Sequence, residues 1–433
     1  MQYFSTQKQA PKVGFKEAVV RSLAPDKGLY FPQTITPIDS HWIKDIASLS
    51  HEELALAAIS QFVGDEIPAN VLRTIVAETI SFDFPVVEIE DNVGALELFH
   101  GPTLAFKDVG ARFMARCLGY FNRNSIQRTV VLVATSGDTG GAVADGFLGV
   151  EGVDVVILYP SGKVSDLQEK QLTTLGKNIR ALEVKGTFDD CQAMVKRAFL
   201  DSVLTDHLKL TSANSINVAR WLPQMFYYFF AYKQLVNRNQ RIVFAVPSGN
   251  FGNICAGMMA QRLGLPIAQF IAATNVNDTV PRYIAKGDYS PNATVSTISN
   301  AMDVSDPSNF VRILELFGEE KLRKELLAYS FDDRQTMEVI STVKKQFGYT
   351  LDPHGAVGYL GLKQFLQTPK ASNDYGIFLE TAHPCKFIDI VEQAISEKID
   401  LPKRVANLVN REKKSVLIEN DYKALQDYLK NNL

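Results

Sequence analysis

The chain has 433 residues, of which 46% are hydrophobic, so it is long enough to bury a large core in two or three packed domains. Its 45 basic residues nearly balance its 48 acidic residues, and no global field favours a nucleic acid or an anionic membrane surface. No apolar stretch approaches the roughly 20 residues that cross a bilayer. Residues 1–15 lack the zones of a signal peptide, so we expect a cytoplasmic protein without nucleic-acid or membrane partners.

The cysteines and histidines do not form metal-binding motifs. The cysteines are widely spaced and lack a Cys-x-x-Cys pattern, which favours reduced core positions over disulfides. The histidines that lie near other motifs are far apart and lack a His-x3-His pair, so we expect structural roles for them and no metal ion. These residues are Cys117, Cys191, Cys255 and Cys385, and His100, His354 and His383.

The first ninety or so residues carry helical patterns, separated by Pro, Gly and Asp breaks. Residues 52–63 and 68–80 show the clearest periodicity. We therefore predict a separate, mostly helical N-terminal domain over residues 1–92.

From residue 93 onward the pattern changes to short β-branched runs, each of which ends in a polar turn and leads into a helix-period segment. This alternation is typical of a parallel α/β sheet. Ligands of open α/β sheets bind beyond the carboxyl ends of the strands, so the turns should gather around a site. The predicted strands are residues 129–134, 153–158, 241–246 and 375–379.

Lys107 follows the turn at Gly101-Pro102 and falls at the start of a predicted helix. The positive end of the helix dipole and the apolar Phe106 disfavour an ammonium, which leaves an amine that can attack an aldehyde. A lysine chosen at random is more often a solvated surface residue. Only the surrounding motif favours the reactive alternative.

Two turns are suited to anions. The turn at residues 248–253 has two glycines and opens a helix, so its backbone amides can hold a phosphate. The turn at residues 135–140 offers hydroxyls and amides to a small carboxylate. Any tight strand-to-helix connection explains the first turn equally well, and a well-capped helix explains the second. The chain lacks the spacing of a P-loop and a clean Gly-x-Gly-x-x-Gly, which leaves a small phosphorylated cofactor as the expected ligand.

Several segments together resemble the threonine synthase family, in particular its longer bacterial and fungal subgroup. The likeness extends over essentially the whole chain, including Gly28-Leu29-Tyr30-Phe31-Pro32 near its start. The other matching segments are residues 100–108, 135–140, 212–217, 247–253, 273–281, 299–304 and 381–384.

The resemblance implies an α/β enzyme of pyridoxal 5′-phosphate (PLP) fold type II, similar to the tryptophan synthase β subunit. Residues 93–433 would form a catalytic body of two α/β subdomains, the smaller at roughly residues 120–240. Lys107 would be the Schiff-base lysine, and Thr381 would be the hydroxyl partner of the pyridine nitrogen. A neutral hydroxyl makes the pyridine ring a weaker electron sink than an Asp partner does. The residues expected to bind the cofactor are Lys107, Asp138, Ser248, Gly249, Asn250, Phe251, Gly252, Asn253 and Thr381.

The resemblance also implies residues that bind the substrate. The turn that holds the substrate carboxylate would contribute Thr135, Ser136 and Thr139. Many relatives have Asn where this chain has Asp138. Because an ionised Asp138 would repel a carboxylate, we expect it to face the cofactor or a backbone amide. The candidates for holding the departing phosphate are Lys163, Arg112 and Arg220, each of which could instead form a surface ion pair.

The implied activity is that of a carbon–oxygen lyase acting on phosphate, which converts O-phospho-L-homoserine and water into L-threonine and phosphate, the last step of threonine biosynthesis. No obligate protein partner is expected. Two alternatives stay open from the sequence. One is a phospho-lyase of the same fold that releases 2-oxobutyrate, and the other is a catalytically silent relative that binds PLP.

Overall fold

The computed structural model describes residues 1–371 and 373–433. Within these residues, thirteen strands form three sheets. The strands are β1 (Tyr3–Ser5), β2 (Tyr30–Pro32), β3 (Val86–Glu90), β4 (Val93–Glu97), β5 (Thr129–Ala134), β6 (Val153–Pro160), β7 (Ile179–Lys185), β8 (Lys209–Ser212), β9 (Arg241–Pro247), β10 (Ile267–Thr274), β11 (Leu326–Ser330), β12 (Asp374–Glu380) and β13 (Val416–Glu419).

Helices surround the two larger sheets and are the main regular structure of the first eighty residues. They are α1 (Phe15–Arg21), α2 (Ser40–Lys44), α3 (His51–Val63), α4 (Ala69–Thr79), α5 (Lys107–Asn122), α6 (Asp138–Phe147), α7 (Asp166–Thr173), α8 (Phe188–Leu200), α9 (Ser202–Thr205), α10 (Val218–Trp221), α11 (Phe226–Leu235), α12 (Gly252–Arg262), α13 (Thr279–Lys286), α14 (Phe310–Phe317), α15 (Glu319–Glu325), α16 (Asp333–Phe347), α17 (Pro353–Leu366), α18 (Ile388–Ile395), α19 (Lys403–Val409) and α20 (Tyr422–Asn432).

The N-terminal region is mostly helical, with α3 and α4 close to the limits that the sequence predicts. α3 begins with a capping box, in which the Ser50 side chain accepts from the backbone of Glu53 and the Glu53 side chain accepts from the backbone of Ser50. β3 also lies within the first 92 residues, but it pairs antiparallel with β4. This strand therefore extends the sheet of the following region, and the domain boundary at residue 92 stays a prediction.

The smaller of the two large sheets has five parallel strands in the order β13-β7-β6-β5-β8. β5 and β6 are buried along their whole length, because helices cover both faces of a parallel sheet. Its edge strand β13 comes from the C-terminal part of the chain. This strand lies outside the segment predicted at roughly residues 120–240, which contains the other four strands of the sheet, and the limits of the subdomains stay a prediction. We call this sheet with its helices the small lobe.

The other sheet has six strands in the order β11-β10-β9-β12-β4-β3, and only β3 runs antiparallel to its neighbour. We call this sheet with its helices the large lobe. The strands β9 and β12 lie at its centre, and both were predicted from their β-branched runs. The parallel α/β architecture expected from the sequence is confirmed.

The four cysteines are buried with free thiols. Over residues 1–371 and 373–433, no helix is long and apolar enough to cross a bilayer. The same residues contain no group of three or more metal-binding side chains close enough to share an ion.

The helix α5, which begins at Lys107, packs closely against α10. A Cβ atom added at Gly110 would lie 2.4 Å from the backbone oxygen of Arg220. This close approach sets the depth at which α5 lies in the core, and therefore the position of its first residue.

We expect Gly110→Ala to destabilise the protein by about 2 kcal/mol, since backbone on both sides must move to admit the methyl group. The measurement is the urea midpoint of unfolding. Gly119→Ala on the same helix is the control, because its Cβ would meet only the Val150 side chain at 3.1 Å. It should change stability by less than about 1 kcal/mol. Equal midpoints for the two variants would contradict the packing argument.

Candidate active site

Lys107 is the first residue of α5, and its side chain lies near the ring of Phe106, with Nζ 5.6 Å from the ring centroid. Burial lowers the pKa of Lys107 from 10.5 to about 8. Asp138 opposes this shift, whereas the positive charges of Lys386 and Arg220 add to it. A substantial fraction of the amine is therefore neutral near physiological pH, as a nucleophile or base requires.

The segment that precedes Lys107 is fixed to the end of β12. The Phe106 amide donates to the Thr381 carbonyl at 2.9 Å, and Ala105 forms an antiparallel bridge with Ala382. The hydroxyl of Tyr227 donates to the Phe106 carbonyl. These bonds place Lys107 beside Thr381, whose side chain is buried.

Asp108, which follows Lys107, holds the turn that precedes the lysine. Its carboxylate accepts from the backbone amide of Thr103 at 2.9 Å and from the Thr103 hydroxyl. Burial raises the pKa of Asp108 to about 6, although both hydrogen bonds favour the ionised form. The aspartate that follows the lysine in sequence thus has a structural role in the turn.

The turn at residues 248–253 connects β9 to α12 and is suited to a phosphate. Gly249 allows close contact, because a Cβ there would lie 2.7 Å from Cα of Met302. Phe251 adopts a left-handed conformation with φ of 58°, which directs the chain into α12. Gly252 and Asn253 then form the first positions of the helix, where free amides and the helix dipole favour an anion.

Neighbouring segments fix this turn. The Asn250 side chain donates to Ser215 Oγ at 2.8 Å and accepts from the amide of Ser308 at 2.6 Å. Asn309 donates to the Asn250 carbonyl at 3.1 Å and accepts from Arg312 at 2.6 Å. Ser248 donates to the Val246 carbonyl at 2.8 Å. The turn is therefore held in shape before a ligand binds.

The arrangement fits a phosphorylated aldehyde cofactor. Asn253 Oδ1 accepts from the Tyr228 hydroxyl at 2.8 Å, so the nitrogen of the same amide group points away from Tyr228. This buried nitrogen, Nδ2, has no hydrogen-bond partner among the described residues. An unsatisfied donor at a helix N-terminus, together with a lysine of lowered pKa, is the combination that a PLP site needs.

The turn at residues 135–140 connects β5 to α6 in the small lobe. Thr135 is buried, and its hydroxyl accepts from the amides of Gly137 and Gly140, each at 2.9 Å. Thr135 therefore shapes the turn from inside. Ser136 and Thr139 are half-buried, which leaves their hydroxyls as the more accessible donors of the turn.

We expected Asp138 to face the cofactor or a backbone amide, and the hydrogen bonds of its carboxylate in the structure come from two side chains. Its Oδ1 accepts from Lys386 Nζ at 2.8 Å and from Gln168 Nε2 at 2.9 Å. Burial alone would raise the pKa of Asp138, but Lys386 and then Lys107 hold it well below its usual range. The carboxylate stays ionised because a buried cation, which we did not expect, compensates it.

Lys386 and the glutamines that accompany it were not predicted from the sequence. Lys386 lies just after the matching segment 381–384, between Cys385 and Phe387. Its position between two apolar residues was the signal in the sequence that this lysine is buried. Its side chain is fully buried and donates to the Thr103 carbonyl at 2.9 Å and to Gln171 Oε1 at 3.0 Å.

The three candidates for holding the substrate phosphate differ in burial and in hydrogen-bond partners. Arg220 is buried near Lys107, and its Nε and Nη1 have no partner within the described part of the chain. Burial lowers the pKa of Arg220 to about 10. Arg112 instead donates to the Glu78 carbonyl and to Ser81. Lys163 is exposed on the turn that follows β6.

The end of β12 carries little negative charge, even though Glu380 precedes Thr381. Burial, and then repulsion by Asp352, raise the pKa of Glu380 well above its usual range, so the charged form of this carboxyl is disfavoured. Asp352 accepts from the ring nitrogen Nδ1 of His354 at 2.6 Å. His354 Nε2 accepts from the amide of Ala301, which gives this histidine the structural role expected from the sequence.

Three family models match the chain. Residues 91–378 match "Pyridoxal-phosphate dependent enzyme", residues 2–80 match "Threonine synthase N terminus", and residues 355–429 match "Threonine synthase, C-terminal". The threonine synthase of Escherichia coli is 45% identical over 434 residues, which cover 100% of both chains.

Solved structures agree with these matches. The E. coli threonine synthase aligns with a TM-score of 0.93 over 100% of both chains. A PLP-bound threonine synthase from Brucella melitensis aligns with a TM-score of 0.93 at 37% identity, over 100% of this chain and 99% of that one.

A more distant structure, maize serine racemase, has 15% identity and a TM-score of 0.56 over 81% of this chain and 94% of that one, and it supports the fold alone. The architecture is that of PLP fold type II, and the cofactor is PLP. Full-length identity and the three family models together show that the chain belongs to the threonine synthase family of PLP-dependent enzymes.

Proposed function

We propose that the substrate is O-phospho-L-homoserine, which reacts with water to give L-threonine and phosphate, and that the chain is in this sense a carbon–oxygen lyase acting on phosphate. The observation that carries the proposal is the buried guanidinium of Arg220 near Lys107, whose Nε and Nη1 have no partner among the described residues. The charge and the planar donors of a guanidinium match a phosphate ester. The protein acts in the cytoplasm and requires no partner protein.

Lys107 holds the cofactor and moves the protons of the reaction. When bound, PLP supplies the electron sink that stabilises negative charge on the substrate. The Lys107 amine accepts the proton from Cα and then one from Cβ, and phosphate leaves from Cγ with the electrons of the C–O bond while Cγ takes up a proton. Water then adds its hydroxyl to Cβ, a proton returns to Cα, and the remaining proton goes to the released phosphate. Such positioned acid–base catalysis is worth roughly 10²- to 10⁴-fold per step.

Other residues orient the reactants. The amides and side chains of residues 248–253 would hold the cofactor phosphate, and Asn253 Nδ2 would supply a donor that has no partner among the described residues. The hydroxyl of Thr381 would face the pyridine nitrogen. Ser136 and Thr139 donate to the substrate carboxylate, while Thr135 keeps the turn in shape. Arg220 binds the substrate phosphate and stabilises it as it leaves.

The product balance tests this activity directly. We expect the PLP-loaded protein, incubated with O-phospho-L-homoserine, to release threonine and phosphate in equal amounts. The measurement quantifies phosphate, threonine and 2-oxobutyrate in the same sample. Phosphate accompanied by 2-oxobutyrate would identify a phospho-lyase instead, and the absence of all three products would indicate a silent relative.

The rate at which the apoprotein captures PLP should rise with pH and level off above a midpoint near pH 8, because only the neutral amine of Lys107 attacks the aldehyde and its pKa is about 8. The measurement follows the visible absorption band of bound PLP in a rapid-mixing experiment. Lys107→Ala is the control, and it should not form the band. A midpoint close to 10.5, the ordinary value for a lysine, would contradict a desolvated Lys107.

Arg220→Gln should lower kcat/KM for O-phospho-L-homoserine by about 100-fold and weaken inhibition by inorganic phosphate, because a charge-assisted contact to phosphate is lost. Arg116→Gln is the control, since Arg116 is bound to Glu78 and to the Gly146 carbonyl. Arg112→Gln tests the competing candidate. If Arg112→Gln weakens phosphate inhibition and Arg220→Gln does not, the assignment of Arg220 is wrong.

A further inference from the structure

The turn that we assign to the substrate carboxylate carries an acidic side chain. Asp138 is the first residue of α6 and is only 5% exposed. A carboxylate at low exposure repels a second carboxylate strongly, because water does not screen the two charges. An enzyme that binds an amino acid through this turn must therefore neutralise Asp138.

Lys386 supplies the compensating charge. Its ammonium is 0% exposed and lies 2.8 Å from Asp138 Oδ1. Its other hydrogen-bond partners are the Thr103 carbonyl and Gln171 Oε1, which are uncharged. A buried ammonium has three donors, and here Asp138 is the only anion that accepts from them among the described residues.

The pair also connects the two lobes. Asp138 and Gln171 belong to helices α6 and α7 of the small lobe. Lys386 follows the end of β12 in the large lobe, and Thr103 belongs to the turn that leads to Lys107. Gln171 Nε2 donates to the Thr103 carbonyl at 3.0 Å, so the same carbonyl accepts from both lobes. The counter-charge therefore comes from just beyond the end of β12, to which the segment before the reactive lysine is also bonded.

We propose that Lys386 is a positioning residue that makes the turn at residues 135–140 electrically neutral, so that this turn accepts the substrate carboxylate. The inference rests on the proposed function, because it takes the turn as the carboxylate site. The ion pair takes the place of the uncharged Asn that many relatives carry at this position. The groups that face the pair are Lys107 and Asp108 at the start of α5, and Gln168 and Gln171 on α7.

The test measures how charge in the turn changes the preference for a carboxylate. L-Threonine and its neutral amide, L-threoninamide, differ only in that group. Their dissociation constants are measured on the PLP-loaded protein from the shift of the cofactor absorption band. The ratio of the two constants is compared between the wild type, Lys386→Met, Asp138→Asn and the double variant. Titrations are repeated from about pH 6 to about pH 9, where an amino acid keeps its carboxylate ionised.

Lys386→Met leaves Asp138 without its cation and should reduce the preference for L-threonine over its amide by about tenfold or more at high pH. The loss should shrink at low pH, where an unpaired buried Asp138 takes up a proton. Asp138→Asn leaves Lys386 uncompensated and should shift the preference in the opposite direction, towards L-threonine. The double variant restores neutrality and should return to within about threefold of the wild type.

The exposed ion pair of Lys185 and Glu419 in the small lobe is the matched control. Lys185→Met and Glu419→Gln should leave the preference unchanged, because exposed pairs are screened by water. A preference that is the same in all four proteins, or that falls in both single variants, would overturn the inference and leave Lys386 with a purely structural role. If L-threonine does not bind to the wild type, the proposed function itself fails.

Discussion

The attachment of the Lys107 segment to the end of β12 is the constraint on which the site depends. Two short contacts, from Phe106 to Thr381 and between Ala105 and Ala382, join segments that are far apart in sequence. They place the start of α5 at the carboxyl ends of the central strands of the large sheet, where α/β proteins bind their ligands. The close packing of Gly110 against Arg220 fixes the same helix from its other side.

Two buried cations lie close to the reactive lysine. Lys386 and Arg220 are near enough to lower the pKa of Lys107, whereas Asp138 raises it. Burial and repulsion by Asp352 raise the pKa of Glu380, which disfavours a further negative charge there. Desolvated cations of this kind are costly for stability unless an anion binds beside them. A cofactor and a substrate that each carry a phosphate would supply those anions, which is consistent with the proposed function.

The pair of Asp138 and Lys386 shows how one charged side chain can take the place of an uncharged one. An Asp at this position would by itself disfavour a carboxylate ligand. With a lysine from the other lobe at 2.8 Å, the turn has the net charge that an Asn would give it. The two lobes are therefore electrostatically coupled at the point where we expect the substrate to bind, and a change in one residue of the pair requires a change in the other.

The positions of β5, β6, β9 and β12 and of the turns at residues 135–140 and 248–253 were predictable from the sequence, because each depends on local patterns of hydrophobicity and turn residues. The capping box at Ser165 and Gln168, which opens α7, likewise depends on local sequence alone. The discontinuous small lobe was not predictable, since β13 pairs with β7 across more than half of the chain. The ion-pair partner of Asp138 was not predictable either. The same holds for the finding that Arg220 lies near Lys107, whereas Arg112 donates to Glu78 and Ser81. The sequence by itself determined which residue types carry the chemistry. Only the tertiary structure decided which charges are buried together, because burial and distance, on which both pKa and ion pairing depend, arise when remote segments pack.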